Sequence, residues 1–144
     1  VTDRRYSLDE MQDRAAIADL YDRQLAAAEA WDLDRYDTTF AADAEIDMRD
    51  FGQSVFGYPQ YRDWLASLRS VLVGAQRITG GLRLQLDGDT ATTRVPTACF
   101  VTMELDGERS LVSTGLFYND TLRRTPDGWR IVSRYEELAW SGRP

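Results

Sequence analysis

The sequence predicts an α+β domain in which helices of the amino-terminal half cover one face of a curved, mostly antiparallel sheet. Three observations carry this. Up to Gly74 apolar residues recur at three- and four-residue spacing; after it the period drops to two; and Asp-Gly turns then divide the second half into long strands. Helices first and a meander afterwards is the order of an α+β fold.

The first helix opens at Ser7-Leu8-Asp9-Glu10, an S-x-x-E capping box with Tyr6 and Met11 at the staple positions, and runs to about Ala30. It carries two apolar stripes, Leu8, Met11, Ala15, Ala18 and Ile17, Tyr21, Leu25, Ala28. A second helix starts after Asp32 as N-cap and reaches Phe40, with Leu33 and Tyr36 on the same side. Two short strands follow, at residues 44–48 and 53–56. The third helix takes Pro59 as its first residue, points Tyr61, Trp64, Leu65, Leu68 and Leu72 inward, and stops at Gly74.

Beyond Gly74, Ile78, Leu82, Leu84 and Leu86 alternate with Arg77, Thr79, Arg83 and Gln85 up to the turn at Asp87-Gly88-Asp89. The next strand carries Val95, Cys99, Val101 and Met103, and Pro96 within it predicts a bulge or an unpaired stretch. Strands at 110–124 and 129–139 complete the chain, separated by Pro126-Asp127-Gly128. With 144 residues, 43% hydrophobic and 28% charged, a single soluble domain over residues 1–144 is expected, large enough for a core and an internal pocket.

All 17 cationic side chains are arginine; there is no lysine and no histidine. Schiff-base chemistry is thereby excluded, together with the usual acid–base group near neutral pH and the commonest zinc ligand. A GC-rich coding sequence accounts for arginine in place of lysine but not for the missing histidines. Proton transfer is left to carboxylates, tyrosines, Cys99 or water. No metal or cofactor site is expected. A net charge of −7 argues against nucleic-acid binding. One cysteine excludes an internal disulfide, and no apolar run has membrane-span or signal-peptide character, so a cytoplasmic protein is expected.

Five local strings follow one another along the chain: Asp13-Arg14-Ala15-Ala16-Ile17-Ala18-Asp19-Leu20-Tyr21, Phe40-Ala41-Ala42-Asp43-Ala44-Glu45-Ile46-Asp47, Asp87-Gly88-Asp89-Thr90-Ala91, Gly115-Leu116-Phe117-Tyr118-Asn119-Asp120 and Asp127-Gly128-Trp129-Arg130-Ile131. In this order they resemble the SnoaL-like branch of the nuclear-transport-factor-2-like superfamily. The resemblance implies a cone made of a curved sheet closed by three helices, an apolar small-molecule substrate inside it, no cofactor, and a homodimer. It does not choose among cyclases, dehydratases, dehydrochlorinases, isomerases, epoxide hydrolases and non-catalytic members.

Relatives of the dehydratase type use a His–Asp dyad, whose positions fall here on Arg77 and Glu29. A polar position one turn earlier on the helix falls on Gln24. The catalytic aspartate of ketosteroid isomerases falls on Met48, while SnoaL-like families place one at Asp47. Asp47 is therefore the first candidate base, set among Met48, Phe51 and Phe56, although beside Arg49 it also reads as a solvated strand carboxylate. Glu45, two residues earlier on the same strand face, is a candidate partner.

Glu29 and Arg77 carry opposite charges and are expected to touch, either as proton acceptor and oxyanion clamp or as a structural ion pair. Tyr118 and Asp120 share a strand face and read as oxyanion donor and acid or base, or as core. Tyr21, its hydroxyl at the pocket edge, is read as a substrate contact together with Gln24, Glu45, Trp64 and Met48, and the tryptophans also read as packing. Arg134 and Glu136 share strand parity and read as a surface pair. The expected function is cofactor-free acid–base catalysis in natural-product biosynthesis, a polyketide-type cyclisation or a related isomerisation or dehydration. Epoxide opening by an Asp–Arg–Asp site and a non-catalytic binding or assembly module are the alternatives.

Overall fold

The computed structural model describes residues 3–142. Its elements are α1 (Leu8–Ala30), α2 (Leu33–Asp37), β1 (Phe40–Asp47), β2 (Val55–Gly57), α3 (Tyr58–Ser67), β3 (Leu72–Thr79), β4 (Arg83–Asp87), β5 (Thr90–Leu105), β6 (Glu108–Thr125) and β7 (Gly128–Gly142). The strands form one curved, unclosed sheet in the order β2-β1-β7-β6-β5-β3, with β4 also pairing β5. Every pairing is antiparallel except β1 with β7. No described helix is long and apolar enough to cross a membrane.

The capping box at the start of α1 forms as expected: Ser7 Oγ accepts from the Glu10 N–H and the Glu10 carboxylate accepts from the Ser7 N–H. Only one of the two apolar stripes is buried. Ile17, Leu20, Tyr21, Gln24 and Ala27 face the sheet, whereas Leu8 and Met11 are exposed. A surface helix offers one stripe to its core, and this one is chosen by the β7–β6–β5 face it crosses. Leu20, Leu122 and Ile131 lie there, with Ile46 of the neighbouring β1, with at most a trace of exposure, each contributing about 1.5–3 kcal/mol by burial.

Helices α2 and α3 end earlier than their apolar periodicity implies. Phe40 belongs to β1, where its ring stacks on Tyr58 at 4.7 Å, and Leu72 opens β3. Neither residue changes its inward direction, so periodicity alone does not mark the change of element. Pro96 causes no bulge against β6. Its carbonyl accepts from the Gly80 N–H, in the gap where the edge of β5 passes from β3 to β4. The missing proline N–H thus falls where no ladder bond is due.

A bulge does occur on β7. Leu122 pairs with Ile131 but Thr121 with Ser133, leaving Val132 as an extra residue. Inward positions on β7 therefore run Trp129, Ile131, then Arg134, Glu136.

Candidate active site

At one end of the cone the helices diverge from the sheet and leave a cavity of about 340 Å³. Its sheet wall is built from cross-strand rows. Arg77 on β3 sits beside Cys99 on β5, which sits beside Thr114 on β6; Tyr118 on β6 sits beside Glu136 on β7. The opposite wall comes from Trp31 after α1, Tyr36 on α2, Tyr61, Trp64 and Leu65 on α3, and Met48 and Phe51 beyond β1. Tyr61 and Trp64 stack at 5.8 Å, and Phe56 stacks on Trp64 at 6.2 Å, which fixes the aromatic side of the wall.

The lining is apolar apart from a few groups, of which two are charged: Glu136 and Arg77. Glu136 is 6% exposed, and Tyr61 Oη donates to its Oε1 at 3.1 Å. Burial pushes the Glu136 carboxyl above its ordinary range, and Arg134, the Tyr61 hydroxyl and Arg77 only partly offset that. Arg77 lies among Tyr118, Cys99, Tyr36 and Tyr61 and forms no ion pair with Glu136 or any other described residue. Burial raises the phenols of Tyr36, Tyr61 and Tyr118 and the thiol of Cys99, so these groups stay neutral near pH 7 and keep their protons available for hydrogen bonding.

Beside the cavity, Arg134 is fully buried. Its Nε and Nη2 donate to the Asp120 carboxylate at 2.8 and 2.7 Å, a bidentate pair between direct cross-strand neighbours, and Nη2 also donates to Gln24 Oε1 at 2.9 Å. Tyr21 Oη donates to Asp120 Oδ2 at 2.6 Å and lies 2.5 Å from Thr93 Oγ1. Gln24 in turn donates to Thr39 Oγ1 at 2.9 Å. The guanidinium stacks on Tyr118 at 3.9 Å, and its Nη1 has no partner among the described residues. None of Asp120, Arg134, Gln24 or Tyr21 lines the cavity; they form the layer that holds Tyr118 and the β7 backbone in place. Tyr21→Phe leaves one acceptor position of Asp120 unfilled, and a loss of about 1.5–3 kcal/mol is expected in urea denaturation.

The residues singled out from sequence divide accordingly. Arg77, Tyr118, Trp64 and Met48 line the cavity; Gln24, Tyr21 and Asp120 belong to the buried layer beside it. Asp47 does not reach the cavity. The alternation of β1 turns Ala44, Ile46 and Met48 inward and Asp47 out, where Arg49 grips its carboxylate from Nε and Nη2 at 3.0 and 2.7 Å and pulls it below the usual carboxylate range. Glu45 is exposed on that same outer face. Glu29 is also exposed: Ala28 lines the cavity, and Glu29 lies about 100° further round the helix, so it does not meet Arg77.

Glu136, the carboxylate that does face the cavity, reads as a surface residue from sequence. Counting by twos from the core residues Trp129 and Ile131 sends positions 134 and 136 outward, and the Val132 bulge reverses that count. The residual signal is that Arg134 and Glu136 share parity with each other, as Tyr118 and Asp120 do. Of the tryptophans, Trp31 and Trp64 line the cavity. Trp129 is core, its Nε1–H donating to Asp13, and Trp140 lies half-exposed over Gly115.

A model of the SnoaL-like domain matches residues 9–135. An uncharacterized protein of Mycobacterium tuberculosis is 37% identical over 131 residues, covering 90% of this chain and 88% of that protein, and one of Mycobacterium bovis matches equally. Among solved structures, a protein of Kribbella flavida superposes with a TM-score of 0.83 at 20% identity, over 92% of this chain and 95% of that one. A type 2 hexachlorocyclohexane dehydrochlorinase does so with a TM-score of 0.83 at 21% identity, over 95% and 92%. At these identities the structural likeness is one of fold.

Proposed function

This chain belongs to the SnoaL-like domain family, and from that premise we propose that it is a cofactor-independent acid–base enzyme in which Glu136 moves a proton on an apolar, oxygenated substrate held in the cavity. One observation carries the reading: a buried carboxyl whose proton affinity is raised shares an apolar cavity with a guanidinium it does not pair with. A carboxylate made more basic by burial is a better acceptor for a carbon-bound proton, and Tyr61 orients it.

The proton leaves a carbon next to a carbonyl and the charge moves to oxygen, where Arg77 and the neutral hydroxyl of Tyr118 stabilise it. Its fate then defines the reaction. Return of the proton elsewhere is isomerisation, departure of a neighbouring hydroxyl is dehydration, and attack of the carbanion on a second carbonyl of the same molecule closes a ring. Cyclisation of a polyketide-type chain is the form we favour, because an apolar cavity with one polar wall folds a flexible substrate while keeping its reacting carbonyls at Glu136 and Arg77.

Epoxide opening has less support: Arg134 binds a single aspartate, Asp120, and neither lines the cavity. The direct test is deuterium exchange at carbon, followed by NMR, in cyclic β-diketones and aryl ketones. The protein is expected to accelerate exchange and Glu136→Gln to abolish it. Exchange at the buffer rate across the panel, or undiminished in the variant, defeats the proposal; binding without exchange favours a non-catalytic module.

A further inference from the structure

The guanidinium of Arg77 enters the cavity without a carboxylate partner among the described residues, and the groups around it, Cys99, Tyr36, Tyr61 and Tyr118, are neutral near pH 7. Arginine keeps its charge at every working pH. A cation in apolar surroundings with its donors unspent attracts an anionic oxygen strongly, because the low-dielectric wall screens the attraction less than bulk water does. The remaining wall, with Trp31, Trp64 and Leu65, is apolar and carries two indole rings. The polar end of the ligand therefore belongs at Arg77 and its ring-bearing body against the tryptophans.

Glu136 narrows the chemistry further. A carboxylate ligand would bring a second fixed negative charge into the cavity beside Glu136. An enol or phenol would not: its O–H bond breaks, the proton moves onto the Glu136 carboxylate, and the resulting oxyanion is held by Arg77, leaving the total charge unchanged. We propose that the cavity selects planar, ring-bearing enols and phenols and holds them as their oxyanions at Arg77. This rests on the reading of the cavity as the working site but not on Glu136 catalysing a reaction.

The test uses 2-naphthol, whose neutral and ionised forms differ in absorption and fluorescence, with 2-methoxynaphthalene as an ether that cannot ionise and 2-naphthoate as the carboxylate. At pH 7 the protein is expected to bind 2-naphthol with the naphtholate spectrum and at least about tenfold more tightly than the ether. Arg77→Met is expected to erase both the naphtholate band and the tenfold preference while still binding the ether, which shows its cavity intact. A neutral spectrum, equal affinity for the ether, tighter binding of 2-naphthoate, or no binding of any of the three overturns the proposal. Failure of the proton-exchange test alone leaves the naphtholate result standing, and loss of the naphtholate band alone leaves exchange by Glu136 standing.

Discussion

Glu136→Gln is expected to lower catalysed proton exchange by about 10²–10⁴-fold, the usual contribution of a positioned acid or base, and at the same time to stabilise the fold at neutral pH. Both effects have one cause. Burial raises the proton affinity of the native carboxyl above that of the unfolded chain, whose value is the ordinary one near 4.5. Between those two values the native state holds a proton that the unfolded state has lost, so stability falls as pH rises through that window, and the full penalty is present above it. Glutamine retains an oxygen for the Tyr61 hydroxyl and carries no charge, so it escapes the penalty. Thermal melts of the two proteins are therefore expected to coincide near pH 4 and to diverge as pH rises, the variant melting higher at pH 7. A carboxylate kept only for structure behaves in the opposite way; a variant less stable than the parent at pH 7 would contradict the functional assignment.

The second large effect concerns the buried pair beside the cavity. Asp120→Ala is expected to cost about 3–5 kcal/mol, because it strands the fully buried Arg134 charge, which then keeps the neutral Gln24 as its one hydrogen-bond partner among the described residues. That is a large part of the total stability of a domain this size. Replacing both partners, Asp120→Leu with Arg134→Met, removes the stranded charge, and most of the loss is expected to return in urea denaturation. If the single variant loses less than about 1 kcal/mol, or the double variant loses more than the single, the pair is not the anchor that its geometry indicates. Cavity function is expected to respond too, since Tyr118 lies between the Arg134 guanidinium and the ligand space.

The two halves of the chain were legible to different degrees. The capping box, the α1 span and the long meander were legible because each rests on local chemistry: a side chain satisfying a helix N-terminus, or apolar residues at a fixed period. Which side chains share a face was legible where a strand runs without interruption. Tyr118 and Asp120 share the inward face of β6, and the register carries Arg77 to Cys99 across β5. It was not legible on β1, where Asp47 neighbours three apolar residues in sequence yet alternation points it at Arg49 and solvent. Nor was it legible on α1, where charge complementarity joined Glu29 to Arg77 and helical geometry separates them.

By itself the sequence determined the fold class, the order of elements and a chemistry without lysine or histidine, so that carboxylates, arginines and tyrosines are the groups available. Only the tertiary structure decided which carboxylate is inside. Strand parity has just two phases, and the unpaired residue Val132 switches β7 from one to the other, exchanging solvent for cavity at Glu136 and for core at Arg134. A bulge of that kind is set by how β7 must bend to pair with both β6 and β1, a constraint between strands that no local pattern in any one of them records.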